Sequence, residues 1–523
     1  MCGIFFIKNI QSTDLVKAEF NKASNRGPDD TKFINLDKYY IGFHRLSING
    51  LDNISNQPFY KNGIYLICNG EIYNYKQLYN DIGIVPETNS DCEIILDLYM
   101  LYPISYFITL LDGVYSFIIY DTKKDIVTIG RDIFGVRPLF CSEDYEYFSS
   151  ELKQINNLTD KTISQFKPGH YLIIDNNKNK IDLIRYYTLI DYTLSFLPRY
   201  KSLANEYNYY RDMIKYNLIN AVNKRLLSDR PIACLLSGGL DSSIITSIVS
   251  KLTTFTKSKL ETYSIGLKES TDLINANIVA KYLNTNHTEI ILTEDEFFNA
   301  IPEVIEKIES YDTTTVRASV GNYLIAKYIS NHSDAKVIFN GDGADELTGG
   351  YLYFNKAPNN LLFDYEIKTL LNYIHFFDVL RSDRCISSCG LEPRTPFLDK
   401  TFVTMYLSIP LKYRLQKHEI EKKILRDSFN EFLPSEILNR KKEAFSDGVS
   451  GTDRSWYKII EEKLKDVDIP LFKYNSNYLS PKTKEQFYYR YIFEQKFPGR
   501  EKIIPYFWMP KWSNTKDPSA RTL

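Results

Sequence analysis

The chain has 523 residues and a mass of 61.0 kDa, more than one ordinary domain holds, so at least two are expected. Lys and Arg total 64 and Asp and Glu 65, a net charge of −1, which argues against a nucleic-acid partner held by a broad basic surface. With 44% apolar and 25% charged residues the chain reads as globular. No apolar run nears the ~18 residues of a membrane helix, and MCGIFFIK has no basic leader, so a cytoplasmic protein with no membrane partner is expected.

Seven Cys in so long a chain are no disulfide framework, and no CxxC pair marks a zinc site. Cys68, Cys92, Cys141, Cys234, Cys385 and Cys389 read as small buried residues.

From residue 2 to about 187 the pattern is mostly strand. CGIFFIK, YYIGFHRLSI, IYLICNGEIYN and GVYSFIIYD are β-rich runs bounded by turn residues. Val114 to Gly130 predicts a hairpin turning through Asp121–Asp125. Helices are predicted over Leu15–Ala23, Tyr75–Asp81 and Cys92–Leu101, the last capped by Ser90 or Asp91. This is an α+β region, antiparallel sheets covered by helices. Periodicity is lost over 188–204, the expected linker. A long amphipathic helix over Asn205–Leu227 opens the second region, 205–523. There PIACLLSG, LETYSIGL and KVIFNGDG are strands alternating with helices, which implies a parallel sheet with ligands at its carboxyl edge. Beyond about Asn360 the pattern is mainly helical, and Asn176–Lys180 reads as a solvated turn.

Cys2 follows the initiator Met. Its side chain is small, so Met1 should be removable, leaving a thiol and a free α-amino group on one residue. An α-amine with a pKa of ~7.7–8.0 is a competent base for that thiol, and no His is needed. Downstream come Asn25-Arg26-Gly27-Pro28-Asp29, His44-Arg45-Leu46-Ser47-Ile48, Asn69-Gly70-Glu71-Ile72-Tyr73-Asn74 and Ser90-Asp91-Cys92-Glu93. Read singly, Asn69-Gly70-Glu71 is a turn and Asp91 a helix cap. Glutamine hydrolysis would use them otherwise. Arg45 suits an α-carboxylate, Glu71 and Asp91 an α-ammonium, and the Asn69 amide and Gly70 N–H a developing oxyanion. In this order the motifs resemble the glutaminase domain of class II glutamine amidotransferases. That resemblance implies Cys2 as nucleophile and a glutamine site of Arg45, Leu46, Ser47, Ile48, Asn49, Asn69, Gly70, Glu71 and Asp91.

Ser237-Gly238-Gly239-Leu240-Asp241-Ser242-Ser243 follows an apolar strand and opens a helix, a geometry that gathers N–H groups around a phosphate. A Walker-type Lys is absent from this loop. It is similar to the pyrophosphate loop of ATP pyrophosphatases, which split ATP to AMP and pyrophosphate. Asn340-Gly341-Asp342-Gly343-Ala344-Asp345-Glu346 ends another strand, and its carboxylates suit Mg²⁺ or an acceptor substrate.

The whole chain resembles the family of glutamine-hydrolysing asparagine synthetases. Further matches are Tyr311–Ser319, Arg394-Thr395-Pro396-Phe397-Leu398-Asp399, Lys441–Gly448 and Asp517–Arg521. The resemblance implies glutamine, aspartate and ATP as substrates and Mg²⁺ as cofactor, with ammonia crossing between the sites by an internal tunnel. It assigns Leu236, Ser237, Gly238, Gly239, Leu240, Asp241, Ser242, Ser243, Ile265, Asn340 and Gly341 to ATP, and Asp241 and Asp345 to the metal. Lys442 would neutralise phosphate charge, and Asp342 would serve formation of the aspartyl-adenylate.

The chain departs from the family pattern at Asn25, where the family has His, and at Asn340, Asp342 and Ala344, where it has Ser, Glu and Ser. Two rival readings follow, an adenylating ligase of another carboxylate and a non-catalytic nucleotide-binding relative. Cys2 opposes the first and the intact polar set opposes the second. The oligomeric state stays open, a homodimer among the options.

Overall fold

A computed structural model of the chain describes residues 1–8, 12–189, 203–254, 258–415, 420–451 and 454–519. The N-terminal region is two six-stranded antiparallel sheets packed face to face. The first runs in the order Ile163–Gln165, Phe140–Ser142, Tyr147–Ser149, Gly3–Lys8, Tyr39–Arg45, Asp30–Asn35. The second runs Lys180–Arg185, His170–Asp175, Ile126–Arg131, Gly113–Asp121, Ile64–Ile72, Phe59–Lys61.

Side chains alternate across each strand. Ile4 and Phe6 point between the sheets and meet Ile67, Ile118, Ile129 and Leu172. Phe5 and Ile7 point the other way, into a cluster with Phe20 and with Tyr311, Leu380 and Ile386 of the C-terminal region. Both faces of this strand are therefore buried, which explains its unbroken apolar run. Each such side chain contributes roughly 1.5–3 kcal/mol by leaving water. The outer face of the second sheet is covered by helices Tyr75–Ile82, Ile94–Leu101 and Ile104–Leu110, through Ile95, Leu98 and Phe107.

Some helix ends differ from expectation. The first helix spans Thr13–Phe20 and tightens into a 3₁₀ turn, Asn21–Arg26, short of Ala23 as an α-helical end. The third begins at Ile94 behind Glu93, so neither Ser90 nor Asp91 caps it. The Asp91 carboxylate instead accepts the Ile72 N–H at 2.6 Å. The long helix is Leu203–Lys224. The linker expected at 188–204 falls mostly on 190–202, outside the described residues, as do Ala520 and Arg521 of the tail motif.

The C-terminal region is built on a five-stranded parallel sheet in the order Asn286–Leu292, Glu261–Leu267, Ile232–Leu235, Val337–Phe339, Glu392–Arg394. In sequence order this is 3-2-1-4-5. The order reverses between Ile232–Leu235 and Val337–Phe339, and a crevice opens at the carboxyl ends of such a pair. Asn286–Leu292 and Glu392–Arg394 were not expected from sequence; the first is an edge strand of mixed polarity and the second has three residues, one a Pro. No described helix is long and apolar enough to cross a membrane.

Candidate active site

The first cluster lies where Cys2 enters its sheet beside the Tyr39–Arg45 strand, with Gly3 opposite His44. The Cys2 thiol faces the Leu46 carbonyl at 3.7 Å. Arg26 fastens the backbone, its Nε donating to the Cys2 carbonyl at 3.1 Å. With Met1 attached, burial pushes the Cys2 thiol up to about 11. Burial also pushes the Met1 ammonium down to about 6, although Glu392 Oε2 lies 3.9 Å away. The unprocessed chain thus carries a protonated thiol next to an amide nitrogen, which is no base.

Arg45 donates through Nη1 to Asp52 O at 2.8 Å and through Nη2 to Gly50 O. Both acceptors are neutral carbonyls, so the guanidinium charge remains available to a substrate carboxylate. Ser47 N–H donates to Asp29 at 2.8 Å, and Leu46 and Ile48 are buried side chains that anchor the same loop. Asn69 is 0% exposed, yet neither its amide nitrogen nor its oxygen has a hydrogen-bond partner among the described residues. Leaving such groups unpaired costs about 1–3 kcal/mol, so the position is suited to a bound acceptor. Gly70 is dictated by its neighbouring strand: a Cβ there would lie 2.6 Å from Val114 O.

Glu71 and Asp91 share the Asn49 amide, at 2.6 and 3.4 Å. Burial, then the nearby Asp91 charge, raises the Glu71 carboxyl well above its ordinary range. Burial pushes Asp91 up to about 6. Two buried carboxylates beside an orphan amide form a receptor for a cation and a carbonyl on one ligand. Asn25 is exposed, so that departure lies outside the cluster.

The second cluster surrounds a cavity of about 190 Å³ at the carboxyl edge of the parallel sheet. Leu236, Ser237, Gly239, Leu240, Asp241 and Ser242 line it, with Ile265, Asn340, Gly341, Asp342, Asp345 and Lys442. Two expected residues do not. Gly238 turns away at φ +68°, with a Cβ position 2.3 Å from Ala276 N, and Ser243 is buried in the helix that follows. Gly341 lets the two loops touch, since a Cβ there would lie 2.8 Å from Ser242 N.

Asp241 and Asp345 are drawn together by Lys422, whose ammonium is 2.6 Å from Asp241 Oδ2 and also pairs with Asp345 Oδ1. Lys442 lies 2.5 Å from Asp345 and 3.8 Å from Asp241. Burial opposes ionisation of Asp345, but the two lysines outweigh it and hold the carboxyl down at about 2. Burial likewise opposes the Lys442 charge, and Asp345 and Asp241 more than offset it. Asp342 Oδ1 accepts from Arg381 at 3.0 Å, while its Oδ2 is buried with no hydrogen-bond partner among the described residues. Asn340 Oδ1 accepts the Asp342 N–H at 3.3 Å, and its amide donates to Ser382 at 2.7 Å. Arg381 also donates to Asp378 at 2.9 Å. Burial, then Asp378, raises the Glu346 carboxyl well above its usual range.

Arg317 grips Asp517 at 3.0 and 2.7 Å and so brings the tail to the cavity, where Pro518 is part of the wall. Sequence reasoning missed Lys422, Asp378 and Arg381. Lys422 stands in a charge run, Glu421-Lys422-Lys423, that reads as a solvated helix start.

The two halves match two sequence families: one described as a glutamine amidotransferase domain over residues 1–185, the other as asparagine synthase over 213–366 and 362–516. The chain is 41% identical to the glutamine-hydrolysing asparagine synthetase of Mesocricetus auratus, over 100% of this chain and 98% of the relative. The Homo sapiens enzyme of the same name is 40% identical over the same shares. Matched from end to end at this identity, the chain belongs to the family of glutamine-hydrolysing asparagine synthetases.

Proposed function

We propose that the chain makes asparagine from aspartate, with glutamine as nitrogen donor and ATP split to AMP and pyrophosphate. The observation that carries this reading is the meeting of the Ser237–Ser243 loop, Asp342, Asp345 and Lys442 in one cavity, in a chain whose other half holds Cys2 beside Glu71, Asp91 and Asn69. The functional units are 2–187, a linker at 188–204, and 205–523.

Once Met1 is removed, the Cys2 α-amine takes the thiol proton as sulfur attacks the glutamine carboxamide. Asn69 Nδ2 and the Gly70 N–H receive the oxyanion. The carbon–nitrogen bond breaks, and the amine returns its proton to departing ammonia. Water then releases glutamate from the thioester. Arg45 binds the substrate α-carboxylate, and Glu71 and Asp91 its α-ammonium.

In the cavity, the loop N–H groups and the Ser237 and Ser242 hydroxyls hold the ATP phosphates. Arg381, aligned by Asp342 and Asp378, receives the α-carboxylate of aspartate, and Asp378 its α-ammonium. The β-carboxylate attacks the α-phosphorus, and pyrophosphate leaves against Lys442 and Lys422. Ammonia from the first site then displaces AMP from the acyl carbon. Asp241 and Asp345 fit Mg²⁺: both already reach one cationic atom, Lys422 Nζ, and Asp241 Oδ1 is buried with no hydrogen-bond partner among the described residues. When bound, the ion supplies countercharge for the phosphates.

The test supplies glutamine, ATP, Mg²⁺ and aspartate and follows products by chromatography. Equal amounts of AMP, pyrophosphate and asparagine are expected. Stoichiometric ADP, or product with an amino acid other than aspartate alone, overturns the reading.

A further inference from the structure

The glutamine receptor is not built from the N-terminal region alone. Arg394 belongs to the last strand of the C-terminal sheet, is 1% exposed, and sends its guanidinium across the interface. Its Nη2 lies 3.4 Å from Glu71 Oε2, and among the described residues it is the one ion-pair partner of that carboxylate. Glu392 aligns the guanidinium from the same strand, at 2.8 Å to Nε and 2.7 Å to Nη2. The other edge is fixed by the carbonyls of Arg225 and Leu227, at 2.5 and 2.6 Å from Nη1. Nε and Nη1 are thereby held by hydrogen bonds, while Nη2 has no hydrogen-bond partner among the described residues and meets Glu71 through charge at 3.4 Å.

The charges facing Glu71 are Asp91 from its own region, Glu392 and Arg394 from the C-terminal strand, and Arg137. Asp91 and Glu392 oppose its ionisation; Arg394 and then Arg137 favour it. A protonated Glu71 cannot neutralise an ammonium, and two neighbouring buried carboxyls tend to keep one proton between them. The same Arg394 carbonyl accepts the Asn340 N–H at 3.1 Å, so the residue is part of the frame of the second cavity as well.

We propose that Arg394 is a positioning residue for glutamine hydrolysis, a countercharge lent by the C-terminal region that keeps Glu71 set to receive the substrate α-ammonium. This rests on the glutaminase reading of Cys2 and extends it. It assigns to the Arg-Thr-Pro-Phe-Leu-Asp motif a task in the other half of the chain. An opposite charge at this range holds a carboxyl about 1–3 pH units lower, so its loss leaves roughly tenfold less receptor at neutral pH.

The experiment uses the full chain and its Arg394→Gln and Arg394→Lys variants. Glutamate release gives kcat and KM for glutamine between pH 6 and 9. Glutaramate, which is glutamine without its α-amino group, serves as competitive inhibitor. Arg394→Gln should raise KM about tenfold at pH 7, with the deficit shrinking as pH rises, while the glutaramate Ki stays within about twofold. Arg394→Lys should recover part of the loss. An unchanged KM, or an equal loss for glutamine and glutaramate, overturns the proposal, the latter because it reports general damage to the site. If Arg394→Gln does not fold, the KM and Ki of Arg394→Lys decide by the same comparison. Failure of the underlying reading looks different: wild-type chain would release no glutamate.

Discussion

The Lys442 ammonium lies 2.5 Å from Asp345 Oδ2, in the wall of the cavity where the Ser237–Ser243 and Asn340–Glu346 loops meet. The pair holds one positive charge ready beside a carboxylate that stays ionised at any working pH. Lys442→Met should therefore lower aspartate-dependent pyrophosphate release by about 10²-fold or more, the scale for losing a preorganised charge at a transition state. Glutaminase turnover should change little. A pyrophosphate assay beside a glutamate assay on one sample checks both.

Asp342 stands where the family resemblance implies the longer Glu, and the neighbours of the shorter side chain are these. Arg381 meets it at 3.0 Å, and Asn340 ties its backbone to the loop and the loop to Ser382. These contacts favour the reading in which the neighbours have adjusted to Asp. Asp342→Glu should push the carboxylate past its clamp and reduce adenylation, with about 10²-fold as the scale for a 1 Å misplacement. Asp342→Asn should abolish it. A faster Asp342→Glu enzyme would show that the clamp does not compensate.

Cys2→Ala should end glutamine-dependent synthesis and spare synthesis from ammonium. Retention of Met1 should end it too, because Cys2 then has no free amine and its thiol is up at about 11. Met1 is 1% exposed, with its amine buried against Glu392. Excision should therefore precede docking of the two regions. Folded, Met1-bearing chain treated with methionine aminopeptidase should stay uncleaved by intact-mass spectrometry. Rapid cleavage of that folded chain would contradict the burial.

Asp91 is held up at about 6 by burial, above the ordinary Asp value. Its ionised form is the one that binds an ammonium. The Asp91 contribution is thus present above the raised value and is lost as pH falls through it. KM for glutamine should rise about tenfold for each pH unit below 6, the slope for one proton. Ammonium-dependent synthesis, assayed in parallel, should not follow that curve. A flat KM between pH 5 and 7 would exclude Asp91 as a charged contact.

The sequence made legible what is local. Motifs at strand ends, such as Ser237–Ser243 and Asn340–Glu346, announce themselves because a loop that cradles phosphate needs its residues in succession. The hairpin Gly113–Asp121 to Ile126–Arg131 was legible for the same reason. Lys422 and Arg381 were not, nor was the reach of Arg394 to Glu71. Lys422 pairs with a residue 181 positions away, and nothing next to it in the chain distinguishes it from a solvated lysine. Likewise the alternation within one strand does not report strand order, and Glu392–Arg394 is too short to leave a pattern.

The buried charges at the interface also limit how the protein can be rearranged. Arg26 pairs with Asp383 at 2.8 Å, Arg384 reaches Glu151 at 3.5 Å, and Arg394 reaches Glu71 at 3.4 Å, each across the two regions. Each pair is nearly sealed from water, and removing one member of a sealed pair costs about 3–5 kcal/mol. A chimaera that joins one half of this chain to the other half of a relative would inherit every mismatch at once. The halves behave less like interchangeable modules than like lock and key cut together, so that exchange between relatives succeeds only where these arginines and carboxylates travel as a set.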